Sequence, residues 1–227
     1  MTSLPMRDPM KDHLLTSKNA ALVLIDYQPL QIYTVKSMNS GDLINNVVTL
    51  ARLAKVFELP IILTTVNVST GVNPDTIPQL KEVLSDVKSY DRTSINTWED
   101  KETVAAIKAT GRRKLIIGAL WTEACLLFPT LDALKEGYEV YPVVDALGGT
   151  TPVAHETALH RVSQAGAQLV TWNSVACELQ RDWARKETVN GFLQTVIDQN
   201  RDWGWFEELR GAGKRSAAPV AAGARTR

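Results

Sequence analysis

Ala21-Leu22-Val23-Leu24-Ile25-Asp26 is five apolar residues in a row with a carboxylate at the end. A continuous apolar run of this length fits a strand covered on both faces of a parallel sheet. The same signature recurs at Ile61 to Val66, Lys114 to Leu120, Glu139 to Asp145 and Gln168 to Trp172, with a weaker run near Lys88 to Arg92. Helical patterns lie between them. Leu43, Val47, Leu50, Ala51, Ala54 and Phe57 form one stripe over residues 42–57, which stops ahead of Leu59-Pro60. Residues 123–136 place Ala124, Leu127, Leu131 and Leu134 at steps of three and four and close on Gly137. Thr151-Pro152 reads as the N-cap and first residue of a helix reaching Gly166, and residues 99–110 and 174–186 are further helices. This alternation predicts an α/β fold: a three-layer, doubly wound sheet of about six mainly parallel strands with helices on both faces.

The chain has 227 residues, with 25 Lys and Arg balancing 25 Asp and Glu. That balance gives no electrostatic reason to expect nucleic acid or a membrane surface as partner. Residues 1–19 are polar and mixed and read as an N-terminal extension, and 20–210 as one domain. Residues 211–227 are Gly/Ala-rich and read as a disordered tail. The tail carries Lys214, Arg215, Arg225 and Arg227 with no acid, so residues 1–210 hold four more acids than bases. Two cysteines suit no disulfide framework or Cys-based zinc site, and His155 and His160 miss the spacing that puts two ligands on one helix face. The N-terminus lacks the apolar core of a signal peptide, and Ala20 to Ile25 is far short of a membrane span. These features predict a reduced, cytoplasmic protein. No glycine-rich phosphate loop follows the first strand, which disfavours dinucleotide and NTP chemistry.

Ligands of open α/β sheets bind at the carboxyl ends of the strands. The first strand delivers Asp26 there. The strand ending at Leu120 leads through Trp121-Thr122-Glu123-Ala124 to Cys125 at the start of a helix. In the strand order 3-2-1-4-5-6 the two ends are neighbours. The helix dipole should lower the pKa of such a thiol, the carboxylate can take its proton, and free backbone N–H groups can hold an oxyanion. The alternatives are a small buried hydrophobe at Cys125 and a helix cap at Asp26. Cys177 reads as packing, His155 and His160 as surface or satisfied groups, Asp145 as a cap or site lining, and Trp172, Trp183, Trp203 and Trp205 as core or subunit contacts.

The segments Leu22 to Gln28 and Gly118 to Cys125 resemble the isochorismatase-like cysteine hydrolases, which include nicotinamidases. Ile95 to Trp98, Gln164 to Trp172 and Val175 to Trp183 resemble the YcaC-like branch of that superfamily. The resemblance spans roughly residues 15–205. It implies an Asp/Lys/Cys triad in which Asp26 and Cys125 match and Arg92, six residues before Trp98, occupies the Lys place, with Lys88 as a nearby substitute. Arg stays protonated, so it can orient Asp26 or stabilise a thiolate but not relay a proton. The resemblance also implies a cis peptide at Leu120–Trp121 and an oxyanion hole from the N–H groups of Trp121 and Cys125. Gln28, Asn96, Trp98 and Trp121 are its candidate substrate-binding residues. The nicotinamidase metal ligands have no counterpart in Thr64 to Gly71, so neither metal nor cofactor is expected. A small-molecule amide substrate and a tetramer or octamer are implied. Two other readings stay open: a thiol redox or electrophile-scavenging protein, and a non-catalytic binding protein on the same fold.

Overall fold

The computed structural model describes residues 7–199. Its centre is a wholly parallel sheet of five strands: β1 (Ala20–Ile25), β2 (Ile61–Val66), β3 (Ser89–Arg92), β4 (Lys114–Leu120) and β5 (Glu139–Gly148). Their order is β3-β2-β1-β4-β5, with β1 in the middle. The weak run near Lys88 is thus a true edge strand. The run Gln168 to Trp172 is not a sixth strand. It makes one parallel bridge, Val143 to Val170, and then turns into a helix.

Every residue of β1 and β4 is buried, because helices cover both faces. Alternate side chains go to opposite sides. Leu22 and Leu24 join a core with α2 (Ser40–Val56), α3 (Pro78–Val83), α7 (Trp172–Gln180) and α8 (Lys186–Gln199). Ala21, Val23 and Ile25 join a second core with α4 (Lys101–Ala109), α5 (Leu127–Lys135) and α6 (Pro152–Gln164). The caps follow the sequence: Asn39 accepts from the N–H groups of Gly41 and Asp42 to start α2, and Thr151 accepts from that of Ala154 to start α6.

Several boundaries differ from expectation. The helix expected over 174–186 stops early: α7 ends at Gln180, where Arg181 takes a φ of 58°, and α8 begins only at Lys186. A short helix, α1 (Pro29–Thr34), follows β1 at once. Residues 7–19 do not stand apart as an extension. Leu15 is fully buried, its N–H donates to Glu178, and Arg181 donates to Asp12 and to the carbonyl of Leu15. Trp203, Trp205 and the tail at 211–227 lie outside the described residues. Cys177 is exposed on α7 rather than packed. No helix of the described residues is long and apolar enough to cross a membrane.

Candidate active site

The chain reverses direction in sheet order between β1 and β4, so a crevice opens where their carboxyl ends diverge. Register aligns those ends: Ile25 lies beside Thr64 on one side and Ala119 on the other, and Val66 lies beside Arg92. Asp26, Arg92 and the turn after Leu120 therefore share one end of the sheet. Asp26 leaves β1 at a φ of 62°, a left-handed conformation that Asp tolerates better than most residues.

Arg92 reaches across β2 to Asp26. Its Nη1 donates to Asp26 Oδ1 at 2.7 Å and its Nη2 to Oδ2 at 2.8 Å, with both side chains buried. Nη1 also donates to Thr64 Oγ1 and to the carbonyl of Thr65, and Nη2 to that of Ile95. This planar two-pronged contact is the geometry for which guanidinium is suited and ammonium is not. Burial works against the charge of Arg92, but the hydrogen bond and charge of Asp26 outweigh it and raise its pKa further. Lys88 is not at the site. Its ammonium lies over the Tyr90 ring and 4.0 Å from Glu102, in solvent.

Cys125 sits in a single π-helical turn, Thr122–Leu126, that runs into α5. The peptide Leu120–Trp121 is cis. Cys125 is 8% exposed, and its side chain lies near enough to Asp26 and to the backbone of Trp121 for both to bear on its protonation. Desolvation, then the charge of Asp26, push its pKa up to about 12, against the opposing pull of Arg92. The shift therefore runs opposite to the depression expected from the helix dipole: burial beside Asp26 favours the neutral thiol. A dipole effect of up to about 2 units of energy in kcal/mol is outweighed by burial beside a carboxylate.

The substrate candidates fare differently. Trp121 lines a cavity formed with α1 and the loop after β2, its indole Nε1 donating to Thr34 Oγ1 at 2.8 Å and to the Gln31 carbonyl. Gln28 is fully buried and its amide is spent on backbone. Oε1 accepts from Val66 N, and Nε2 donates to the carbonyls of Val66 and Pro74. Asn96 caps the short 3-10 turn Thr97–Glu99 and donates to Asp132 of α5. Trp98 donates to Glu136 and packs edge-on against Tyr138. These three spend their polar groups on the surrounding scaffold.

One contributor, Asp91, has no place in the sequence reading, and His155, read there as a surface or satisfied group, is satisfied at the site itself. Asp91, beside Arg92 on β3, accepts from Thr65 Oγ1 and from the N–H groups of Val68 and Ser69. Burial opposes its charge, yet these bonds, with Ser69 foremost, hold its pKa at about 2. It fixes the loop after β2. His155 pairs its Nδ1 with Thr122 Oγ1 at 2.8 Å and so contacts the nucleophile turn from α6; burial lowers its pKa. Neither carries a sequence signal, because each depends on a contact between distant elements. Asp145 accepts the N–H of Trp172 at the start of α7, so it is a cap. Among the described residues no group of three or more His, Cys, Asp and Glu side chains could hold a metal ion.

Comparison with known proteins places these features in context. The model of the isochorismatase domain matches residues 20–174. The chain is 44% identical to the probable hydrolase YcaC of Escherichia coli over 170 residues, 74% of this chain and 81% of that protein. Two crystal structures superpose with a TM-score of 0.83, each covering 88% of this chain and 98% of the other. One is YcaC from Pseudomonas aeruginosa with hexane-2,5-diol and covalent acrylamide, at 37% identity. The other is the Escherichia coli YcaC gene product, an octameric hydrolase of unknown specificity, at 38% identity.

Proposed function

Because the chain belongs to the isochorismatase family and is a hydrolase of that family, we propose that it is a metal-independent cysteine hydrolase of small-molecule amides, with Cys125 as nucleophile, Asp26 as base and Arg92 as the fixed positive charge. The observation that carries this reading is the contact of one buried thiol with a buried carboxylate that is itself clamped by a guanidinium.

The charge arithmetic supports it. Moving the proton from Cys125 to Asp26 leaves the net charge of the trio unchanged, and Arg92 then faces a thiolate instead of a carboxylate. A neutral resting thiol costs little to keep buried, and the nucleophile forms only as the proton moves. The sulfur attacks the carbonyl carbon, and the oxyanion lies against the N–H groups of Trp121 and Cys125. Collapse breaks the C–N bond, and the proton on Asp26 leaves with ammonia or an amine. A thioester remains. Water gives a proton to Asp26, attacks the thioester carbonyl and releases the acid, and the sulfur regains its proton.

A peroxide-scavenging role is less well supported, because it needs a standing thiolate and burial beside Asp26 favours the protonated form of Cys125. Covalent acrylamide in the Pseudomonas aeruginosa relative fits a site that adds to electrophiles. The octameric Escherichia coli relative supports a homo-oligomer here. The test is peptide mass spectrometry after brief exposure to a panel of amides. An acyl adduct on Cys125 is expected, and no hydrolysis by Cys125→Ala. Undiminished hydrolysis by that variant overturns the reading.

A further inference from the structure

The turn that carries Cys125 is wider than an α turn. The Leu126 N–H reaches back five residues to the Trp121 carbonyl, and the Leu127 N–H does the same to that of Thr122. A π turn is rare and holds one residue more than the helix it runs into, so it needs support from outside. Two of its side chains are gripped by the corner between β5 and α6. Thr122 is fully buried, and its Oγ1 meets His155 Nδ1 of α6 at 2.8 Å. Glu123 Oε1 accepts from the N–H of Thr150 at 3.0 Å and from its hydroxyl.

The contact with His155 is closely built. The Thr122 hydroxyl makes no other hydrogen bond among the described residues. It can donate to a bare ring nitrogen or accept from a protonated one, so the contact stands in either tautomer. Gly149 lies against both partners. A Cβ there would sit 2.7 Å from His155 Cβ and 3.0 Å from Glu123 Oε2. Only a residue without a Cβ lets α6 and the turn come this close. Gly149 is itself tied down, its carbonyl accepting from the Lys36 N–H and its N–H donating to Ser37 Oγ.

We propose that His155 is a positioning residue for the nucleophile: by holding Thr122 Oγ1 it fixes the π turn to α6 and keeps the Cys125 sulfur beside Asp26. The proposal rests on the cysteine-hydrolase reading above and adds a residue that acts on the sulfur through Thr122. The lever is geometric. Thr122 opens the turn, and Cys125 follows within it. Closing the turn to an α turn would rotate the residues on its two sides relative to one another by about 100°, one residue of an α-helix. The start of α5 cannot follow freely, because Leu126 and Leu127 are buried in the second core. The adjustment therefore falls on the short stretch that holds the sulfur. A misplacement on the order of 1 Å costs a positioned reaction about a hundredfold.

Acetylation by p-nitrophenyl acetate tests this. Cys125 Sγ bonds to the acetyl carbon, the C–O bond to p-nitrophenolate breaks, and the thiol proton passes to Asp26. The first turnover is read as a burst of p-nitrophenolate and as acetyl on the Cys125 peptide by mass spectrometry, on the full chain well below its melting point. His155→Leu is expected to slow acetylation at saturating probe about a hundredfold and to leave the half-saturating concentration unchanged. His155→Asn, whose amide reaches the place of Nδ1, is expected to recover most of that loss. Thr122→Val should lose as much as His155→Leu, and Thr122→Ser, which keeps the hydroxyl, should lose little. The double variant His155→Leu/Thr122→Val should be no slower than either single one, because both break the same bond. Losses that multiply in the double variant, or wild-type acetylation by Thr122→Val, overturn the inference. The two Thr122 variants decide it if His155→Leu does not fold. If wild-type Cys125 is acetylated and the His155 variants match its rate, only this inference fails. If wild-type Cys125 takes no acetyl group, the cysteine-hydrolase reading fails and this inference with it.

Discussion

Asp26 and Arg92 meet as two parallel hydrogen bonds of 2.7 and 2.8 Å, although one residue ends the central strand and the other ends the edge strand two positions away. The pair is buried, so it is both a structural commitment and a chemical one. Water cannot screen either charge, and each is tolerable only because the other is there.

Arg92→Met should separate those two roles. Alone it leaves Asp26 buried and unpaired, and urea unfolding should show a loss of about 3–5 kcal/mol. Asp26→Asn/Arg92→Met removes both charges and should recover much of that loss while hydrolysis stays absent. Arg92→Lys keeps a charge but loses the fork, so it should fold better than Arg92→Met and still lose most of its turnover. Equal stability of Arg92→Met and wild type would count against a buried pair.

The thiol gives a pH signature of stability. Folded Cys125 holds its proton up to about 12, against an ordinary value of 9.0. Between those values the unfolded chain has lost the proton and the folded chain has kept it. Fewer protons bound in the unfolded state means that stability falls as pH rises, by roughly 1.4 kcal/mol per pH unit for one group. Below pH 9 this contribution is constant. The unfolding free energy of wild type minus that of Cys125→Ala should therefore be flat from pH 7 to 8 and decline from pH 9 to 11. A difference that stays flat throughout would mean that Cys125 is not held protonated by the fold.

Much of this site is legible in the sequence, and the parts that are not share a cause. Apolar runs ending in Asp26 and Leu120 give the sheet and its active edge, because burial on both faces of a parallel strand leaves no polar position in between. Arg92 stands out only through the resemblance, which puts a basic residue six places before Trp98, and the structure brings it to Asp26 where Lys88 stays in solvent. The errors concern what a polar side chain is spent on. Gln28 and Asn96 have the chemistry of substrate ligands, yet Gln28 completes backbone hydrogen bonds of a segment far away in the chain, and Asn96 caps its own short turn and donates to distant Asp132. The sign of the Cys125 shift was misread for the same reason. A helix dipole is a local property, while burial and the approach of Asp26 come from the assembled fold. Gln168 to Trp172 has the composition of a strand and does run beside β5, with the Gln168 N–H donating to Val140, that of Val170 to Pro142 and that of Val144 to Val170, but Pro142 has no N–H to return a bond to Gln168, so only the bridge Val143 to Val170 is complete.

Gln28→Leu should behave as a structural variant. Its three hydrogen bonds tie the segment between β1 and α1 to Val66 and Pro74, on either side of the loop that carries Asn73. Leucine fills the space but leaves the Val66 N–H without its partner, at a cost of about 1–3 kcal/mol. Thermal unfolding should register that loss, and hydrogen exchange should speed up in residues 66–74. A normal melting point with a raised KM would instead restore Gln28 as a substrate ligand.

Gly118 is where the backbone of β4 must pass bare beneath Tyr27. A Cβ there would collide with Tyr27 Oη and come within 3.3 Å of Leu24 Cδ2 and Tyr27 Cζ. Tyr27 has no room to retreat, since it is fully buried and its hydroxyl donates to the Ala146 carbonyl. Gly118→Ala should cost about 1–3 kcal/mol from overpacking, read as a lower urea midpoint with unchanged slope. Tyr27→Phe on its own should also destabilise, by stranding the Ala146 carbonyl. Combining the two should cost less than their sum, because removing the hydroxyl clears the space that the new methyl needs. Strict additivity would mean that the two residues do not share that space, and that the glycine answers to something other than the ring above it.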